Sequence, residues 1–496
     1  MSNSSDKKLT LIPLVLMIFT SVFGFSNMPR SFYLMGYAAI PWYIISAITF
    51  FIPYALMMAE FGAAFKDEKN GIYTWMEKSV NAKYAFVGIF MWYASYVIWM
   101  VNICSSIWIP LSNFIFGTDK TGTWGFLGLN STQLIGVLGV FWILVVTLFS
   151  TSGLKGIVKF TSVGGTAVAL LNVLLLIGGI IVIIGNKGQL MQPITSTSFM
   201  NSPNPSFMGL LPTFSFLVFA IFAYGGLEAV GGLVGDTHES HITFPRAVIM
   251  SAVIIGIGYS LGIFICGIFI NWDKTLASSN VNMANVTYLV MNNFGYEIGR
   301  VFGLANDVCL SIGAWTARFV GFSMFLALTG AFFTLSYAPL KQLVVGTPEK
   351  IWPKSFLNIK NEVPVTAAWY QCAAVAVMVI LVSFGGDIAS EFFKKLVLMT
   401  NVAMTIPYLF IAGAFISFKK KQEIDKPFEI YKSKGMVYIA TFLTLLTVGF
   451  ANIFTIIEPS FNNKVSNTIW MISGPLVFSI IALLLYNRYE KIHLKK

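Results

Sequence analysis

The sequence has few charged residues, few cysteines and few histidines. Charged side chains make up 11% of the 496 residues, whereas soluble domains carry about 25%. No CxxC pair and no GxxxxGK[ST] motif occurs, so thiol-based metal sites and a P-loop ATPase lack their signatures. We expect no cofactor, no metal site and no enzyme, because no nucleophile–base or metal constellation is visible. The four cysteines are isolated from one another, at Cys104, Cys266, Cys309 and Cys372.

The sequence does contain many apolar runs that are long enough to cross a bilayer. Hydrophobic residues make up 56% of the chain and aromatic residues 15%. About 20 apolar residues cross a ~30 Å hydrocarbon core as a helix. The sequence therefore predicts an all-α integral membrane protein with twelve transmembrane helices. Their approximate positions are 9–36, 41–65, 84–112, 131–150, 157–184, 207–235, 247–270, 308–340, 364–384, 394–418, 436–457 and 467–487.

The basic residues are distributed unevenly among the loops. The formal net charge is +11, which could indicate a nucleic-acid partner. If the N-terminus is inside, however, roughly three times as many Lys and Arg residues lie on the inner side as on the outer side. This bias predicts a multi-pass protein of a bacterial cytoplasmic membrane with both termini in the cytoplasm. The partners expected are the lipid bilayer and a small-molecule substrate, not nucleic acid; the sequence leaves open whether the chain forms a homo-oligomer.

A single carboxylate, Glu228, lies in an apolar stretch that glycine pairs interrupt, FAYGGLEAVGG. It is the only acidic or basic side chain between Gly188 and Gly235. A charge at bilayer depth costs roughly 2.5 kcal/mol or more and usually marks a functional site. Backbone can open at that depth only where it lines a cavity. The pattern predicts a helix that is broken at Tyr224–Glu228 and contributes to the binding site of a transporter.

Span 1 has a similar interruption at Ser21–Asn27, around Gly24. Five spans separate the two breaks, as expected if spans 1–5 and 6–10 are inverted repeats. The N–H groups at a half-helix start attract a carboxylate, and the carbonyl groups at a half-helix end attract an ammonium group. The alternative is that the glycines only permit close helix packing. The substrate-binding residues predicted from the breaks are Ser21, Phe23, Gly24, Phe25, Ser26, Asn27, Ala223, Tyr224, Gly225 and Gly226.

Two further sets of polar residues lie in apolar spans. Arg318 in span 8 could bind the substrate carboxylate or pair with Glu228; equally, it could be a structural partner or extend to the outer interface. Asn401, Thr405 and Tyr408 lie on one face of span 10 and would suit an extracellular gate. Polar packing explains that stripe nearly as well.

Four sequence strings together resemble the amino acid–polyamine–organocation transporters, in particular their glutamate/γ-aminobutyrate antiporter branch. The strings are FAIFAYGGLEAVGG in span 6, TSVFGFSN in span 1, MMAEFGA at the end of span 2, and NGIYTWMEKSVNAKYAFVGIFMWYASYVIW, which starts at Asn70. The resemblance extends from about Leu9 to Lys420.

The resemblance implies a LeuT-like 5+5 inverted-repeat core with discontinuous helices 1 and 6, followed by two further helices. The expected divisions are a tail at 1–8, repeats at 9–186 and 187–420, and a C-terminal part at 421–496. Glu228 stands where the superfamily often has a glutamate implicated in coupling or pH response. Phe222 stands at the position of an aromatic gate and joins the expected substrate site. The lysine that some proton-coupled relatives have within helix 5 is missing from 160–184.

These observations predict a secondary active transporter that moves an amino acid or a closely related amine by alternating access, as an exchanger. The alternative is a membrane-embedded channel or substrate sensor on the same fold. Protonation of Glu228 is expected to shift the equilibrium between the inward-facing and outward-facing states. Transport should therefore depend on pH between about 5 and 8.

Overall fold

The computed structural model describes residues 9–68, 71–360 and 363–493, apart from the side chains of 154–156 and 493. The predicted tail at 1–8 and Asn70 of the family-like loop lie outside these residues. The described chain is helical almost throughout, with one short hairpin of β1 (Ile359–Lys360) and β2 (Val363–Pro364). The helices are α1 (Leu11–Val22), α2 (Asn27–Met35), α3 (Ala39–Ser46), α4 (Ile52–Ala64), α5 (Ile72–Ser79), α6 (Ala82–Ser106), α7 (Trp108–Phe116), α8 (Ser131–Ser150), α9 (Leu154–Gly185), α10 (Leu210–Phe222), α11 (Ser240–Phe269), α12 (Trp272–Thr275), α13 (Val286–Val301), α14 (Asn306–Val344), α15 (Val365–Phe384), α16 (Gly386–Ala403), α17 (Ile406–Lys420), α18 (Lys434–Phe461) and α19 (Val465–His493).

Eleven helical segments in the described part of the chain are long and apolar enough to cross a membrane. The first of them, Leu11–Ala64, has 54 residues and contains the first two apolar runs of the sequence. Each of the other ten segments corresponds to one predicted run, with bounds that differ by a few residues. Many large apolar side chains on these helices are exposed, as expected where helices face lipid tails instead of water.

Two of the membrane segments are interrupted near their middle. The first stops at Val22 and resumes at Asn27. The fifth, which corresponds to predicted span 6, stops at Phe222, and the chain continues from Leu227 as a 3₁₀ helix, Leu227–Asp236. We call the intervening residues 23–26 and 223–226 the first and second breaks. The sequence placed the second break at Tyr224–Glu228; in the structure Glu228 follows the break and lies in the first turn of the 3₁₀ helix.

The second break packs directly against the end of α1 at Gly226. This residue has φ +110°, a backbone conformation that glycine adopts without strain. A Cβ atom at Gly226 would lie 2.3 Å from the backbone oxygen of Ser21. A side chain at this position would therefore separate α1 from the second break.

One face of the helix bundle, which we call the N-terminal face, contains the beginning of α1. Lys83 at the start of α6 donates to Asn487 near the end of α19, at 2.6 Å. Glu60 near the end of α4 forms an ion pair with Lys419 near the end of α17, at 2.9 Å. Leu9 forms a parallel bridge with Thr237, just after the 3₁₀ helix. Helix ends from distant parts of the chain thus meet at this face.

The structure also contains elements that the apolar runs did not predict. Helix α13 packs on α14 and α9. The predicted span 10 is divided into α16 and α17 at Met404–Thr405, close to Pro407, which cannot donate a backbone hydrogen bond. A π-helical turn, Ala47–Phe51, joins α3 to α4.

Candidate functional site

A cavity of about 420 Å³ lies where the two helix breaks meet. Small-molecule sites in proteins occupy about 300–1,000 Å³. The walls come from both breaks, from the helices α1, α2 and α10 that flank them, and from α6, α9, α14, α16 and α17. The lining residues are Thr20, Ser21, Val22, Phe23, Gly24, Phe25, Asn27, Tyr96, Trp99, Val168, Phe222, Ala223, Gly225, Gly226, Met324, Ala327, Leu328, Ala331, Leu335, Asn401, Met404, Thr405 and Tyr408.

The cavity lining is polar in places but carries no full charge. Among the described residues that line it there is no carboxylate, lysine, arginine or histidine. The polar groups are amides and hydroxyls, together with open backbone at the breaks. The N–H groups of Phe25 and Ser26, at the start of α2, make no hydrogen bond within the described residues. Such a helix start attracts negative charge.

Most of the residues predicted from the sequence lie together at this cavity. Nine of the twelve predicted substrate-binding residues line it, and so do all four predicted gate residues. The structure does not bring Ser26, Tyr224 or Arg318 to the lining. Tyr224 is buried behind the second break, where its hydroxyl donates to the backbone oxygen of Tyr43 at 3.3 Å.

Arg318 does not line the cavity, where a substrate contact would place it. Its Nη1 donates to the backbone oxygen of Ile115 at 2.9 Å, in the last turn of α7. Its guanidinium lies 5.3 Å from the centre of the Trp315 ring. A cation at a helix C-terminus satisfies free carbonyl groups and the helix dipole. The structural alternative considered for Arg318 is the one that this geometry favours.

Glu228 is fully buried beside the second break, on the side toward the N-terminal face. Its Oε1 accepts hydrogen bonds from Trp92 Nε1 at 3.1 Å, from the Tyr408 hydroxyl at 3.2 Å and from the Tyr96 hydroxyl at 3.4 Å. Its Oε2 has no hydrogen-bond partner among the described residues. The Tyr408 hydroxyl also accepts the N–H of Gly226 at 3.1 Å. Glu228 therefore joins α6 and α17 to the second break.

The sequence analysis did not identify Trp92 or Tyr96 as partners of Glu228. They lie in α6, more than 130 positions away in the chain. No local signal distinguishes them from other aromatic residues of an apolar helix. Thr405, a predicted gate residue, also has a distant partner, because its hydroxyl donates to Asn452 Oδ1 at 2.5 Å.

The sequence analysis also missed Tyr259 in α11, which contacts both breaks. Its hydroxyl accepts the N–H of Gly24 at 2.9 Å and lies 3.0 Å from the backbone oxygen of Ala223. The nearest signal in the sequence is one tyrosine within a long apolar run, which packing alone would explain.

Between Glu228 and the N-terminal face, polar contacts close the bundle. The ammonium group of Lys341 and the carboxylate of Asp236 form an ion pair of 2.7 Å, with side chains only 2% and 3% exposed. Gln342 Oε1 accepts the N–H of Ile72 at 2.9 Å. The N–H of Leu9 donates to the backbone oxygen of Asp236 at 3.2 Å. These contacts hold the end of the 3₁₀ helix against α14 and α5.

Comparison with known proteins identifies the family. The model of the amino acid permease family matches residues 9–482. The chain is 50% identical to the Inner membrane transporter YjeM of Salmonella typhimurium, over 98% of this chain and 97% of the relative. It is 24% identical to the Aspartate/glutamate permease AcaP of Lactococcus lactis, over 88% and 84% of the two chains. It is 22% identical to the Glutamate/gamma-aminobutyrate antiporter of Lactococcus lactis, over 90% and 83%.

The family match covers both helix breaks and every residue that lines the cavity, and the match to YjeM extends over nearly the whole of both chains. With its apolar membrane segments, the chain therefore belongs to the amino acid permease family and is a multi-pass membrane transporter for amino acids or related amines.

Proposed function

We propose that the protein exchanges an amino acid or a closely related amine across the bacterial cytoplasmic membrane by alternating access. The observation that carries this proposal is an uncharged cavity, with polar groups among apolar side chains, at the junction of two broken helices. Such a cavity suits a zwitterion, because the backbone at the breaks offers partial charges of both signs without a charged side chain.

Each end of the substrate has a candidate partner at the breaks. The free N–H group of Phe25, which lines the cavity at the start of α2, would receive the substrate carboxylate. The carbonyl groups at the ends of α1 and α10, around Ser21 and Ala223, would receive the ammonium group. Asn401, whose side chain is exposed to the cavity, would contact the remainder of the substrate.

The proposed architecture has twelve spans, with the first two contained in Leu11–Ala64, and a core of two inverted five-helix repeats. The N-terminal face is cytoplasmic in this proposal, since Lys66, Lys78 and Lys419 lie near it and basic residues accumulate on the cytoplasmic side of bacterial membrane proteins. Both termini are then cytoplasmic.

Alternating access requires the contacts between the cavity and the N-terminal face to separate. Two layers of contacts close that path, the hydrogen bonds to Glu228 and the Asp236–Lys341 ion pair. On the other side, the aromatic ring of Phe222 and the amide of Asn401 border the cavity. We therefore assign this conformation to an outward-facing state that is closed toward the cytoplasm.

Glu228 is the proposed coupling residue. Three donors share Oε1, whereas Oε2 has no partner in the described residues, so Oε2 is the oxygen free to carry a proton. A neutral Glu228 would donate one hydrogen bond and lose part of its attraction for the tyrosine hydroxyls. Protonation would thereby weaken the layer that joins Tyr408 of α17 to Tyr96 of α6.

A counterflow experiment in proteoliposomes tests the proposed function. Liposomes are loaded with one unlabelled compound, and uptake of the same labelled compound is measured for standard amino acids, γ-aminobutyrate, agmatine and small polyamines. Glutamate, aspartate and γ-aminobutyrate come first, because the names of two relatives specify them. Saturable uptake that internal substrate accelerates supports an exchanger.

Two results would contradict the proposal. Conductance that does not saturate and does not respond to internal substrate would indicate a channel. Binding of a compound without any counterflow would indicate a sensor. Empty liposomes and liposomes with the Gly225→Leu variant are the controls, since a Cβ at Gly225 would lie 2.7 Å from the Tyr408 hydroxyl and obstruct the cavity.

A further inference from the structure

The hydroxyl of Tyr259 lies between the two breaks and contacts both. From the first break it accepts the N–H of Gly24 at 2.9 Å, and it lies 3.2 Å from the backbone oxygen of Val22. From the second break it lies 3.0 Å from the backbone oxygen of Ala223. The Asn27 amide nitrogen is a weaker donor at 3.4 Å. Tyr259 has no exposed surface.

The number of partners exceeds what a phenol group can satisfy at one time. A tyrosine hydroxyl has one proton to donate and lone pairs to accept with. It can accept from Gly24 and Asn27 together, but its single proton must be shared between the carbonyl oxygens of Val22 and Ala223. Val22 is the last residue before the first break, and Ala223 is the first residue of the second. The position of one proton is therefore linked to the geometry of both breaks.

Ring packing holds the hydroxyl at this point. The Tyr259 ring stacks on Phe23 with ring centres 4.6 Å apart, and the rings of Tyr43 and Tyr224 lie at 5.0 and 5.2 Å. Phe23 and Tyr224 belong to the first and second breaks. The oxygen is thus held by aromatic contacts in addition to its hydrogen bonds.

We propose that Tyr259 is a positioning residue for substrate binding, because its hydroxyl ties the two breaks together and keeps both half-sites in one geometry before substrate arrives. The inference rests on the proposed function, in which those half-sites bind the substrate. Carbonyl groups that converge where helices are unwound can hold a cation in transporters. Here a neutral hydroxyl of the protein lies at such a point and joins the two breaks.

Hydrogen–deuterium exchange on the full-length protein in detergent tests this role without requiring a known substrate. The variants are Tyr259→Phe, which removes one oxygen atom and retains the ring, and Tyr43→Phe as a matched control. Tyr43 is equally buried and touches Tyr259, but its hydroxyl accepts from Ser31 and contacts neither break. We expect Tyr259→Phe to accelerate exchange at both 22–27 and 223–228. The expected factor is about fivefold to tenfold, because that is the effect of losing one hydrogen bond. Tyr43→Phe should leave both segments unchanged.

Two exchange results would overturn the proposal. Wild-type exchange in both segments of Tyr259→Phe would show that the hydroxyl holds neither break. Acceleration in 22–27 alone would reduce Tyr259 to an anchor of the first break. If Tyr259→Phe does not fold, hydrogen exchange of the wild type, resolved to single residues, tests the hydrogen bond instead. The Gly24 N–H should exchange more slowly than the N–H groups of Phe25 and Ser26. Equal exchange rates would refute the hydrogen bond to Tyr259.

Counterflow separates this inference from the proposed function. With any compound that the wild type exchanges, Tyr259→Phe should raise KM about fivefold to tenfold with kcat changed less than twofold, since the lost hydrogen bond organises the empty site. An unchanged KM would contradict a positioning role. If the wild type exchanges no compound, the proposed function fails, while the exchange measurement still shows whether Tyr259 joins the breaks.

Discussion

Replacing Lys341 by methionine should open the path between the cavity and the N-terminal face. In the structure the ammonium group of Lys341 lies 2.7 Å from the carboxylate of Asp236, and both side chains are almost fully buried. Lys341→Met leaves the Asp236 carboxylate buried without its counter-charge. Removing one partner of a buried ion pair costs about 3–5 kcal/mol, because the remaining charge is uncompensated.

The ion pair holds the end of the 3₁₀ helix in place in the closed conformation. Lys341→Met therefore destabilises the closed conformation strongly, and it destabilises a conformation in which water reaches Asp236 much less. A free-energy difference of 1.4 kcal/mol corresponds to a tenfold change in an equilibrium constant. A penalty of about 3–5 kcal/mol therefore shifts the equilibrium toward an inward-open state by roughly 100-fold or more. That shift is large enough to measure by chemical labelling.

The assay is the rate of maleimide labelling at an introduced cysteine. Val234→Cys is a suitable reporter, since Val234 is fully buried in the 3₁₀ helix two residues before Asp236. All four native cysteines are buried, which keeps the background low. Labelling of the reporter should be slow in the parent protein and at least tenfold faster with Lys341→Met. Adding Asp236→Asn should restore most of the protection, because it removes the unpaired charge.

Lys83→Met is the matched control. Lys83 lies at the same face, but its nearest carboxylate, on Glu490, is 3.8 Å away and both side chains are partly exposed. Exposed ion pairs contribute about 0–1 kcal/mol, so labelling should stay within a few-fold of the parent rate. Equal labelling rates for the Lys341→Met and Lys83→Met proteins would refute the reasoning.

Three further predictions concern the breaks, the buried acid and the arginine of α14. Gly226→Ala should abolish counterflow in a protein that still elutes as a folded species, because a Cβ would lie 2.3 Å from the backbone oxygen of Ser21. The control, Gly435→Ala, should be active, because the space around Gly435 is open. Transport should vary with pH between about 5 and 8, the range that a buried glutamate can reach, and Glu228→Gln should flatten the profile; an unchanged profile would assign Glu228 a structural role. Arg318→Ala should retain counterflow within about twofold but lower the melting temperature, since it loses a charged hydrogen bond; loss of substrate binding would contradict this.

The helix breaks show how far local sequence could go toward the site. Span 6 is an apolar run long enough to span a bilayer, and it has paired glycines and one carboxylate at its middle. Few conformations of such a segment are stable in lipid. The second break is close to its predicted position for this reason, and the first, predicted from Gly24 and the small polar residues beside it, is also close. The prediction extended the second break to Glu228 because the sequence does not show that the chain resumes as a 3₁₀ helix at Leu227.

Arg318 shows where the same reasoning stopped. Its position within span 8 was compatible with a contact to the substrate, with an ion pair to Glu228 or with a structural role. The direction in which it points depends on how α14 is rotated and on where α7 ends. The structure places the Ile115 carbonyl within its reach, 203 positions away in the chain.

The sequence by itself determined that the chain is a multi-pass membrane protein, which segments are long and apolar enough to cross a bilayer, and where two of them are interrupted. These properties follow from local composition, because a bilayer imposes its thickness and its lack of hydrogen-bonding partners on every segment separately. Only the tertiary structure decided which groups meet: Tyr259 with both breaks, Trp92 and Tyr408 with Glu228, and Lys341 with Asp236. Those contacts join distant helices, and their geometry depends on helix rotation and packing, which apolar helix faces do not encode locally.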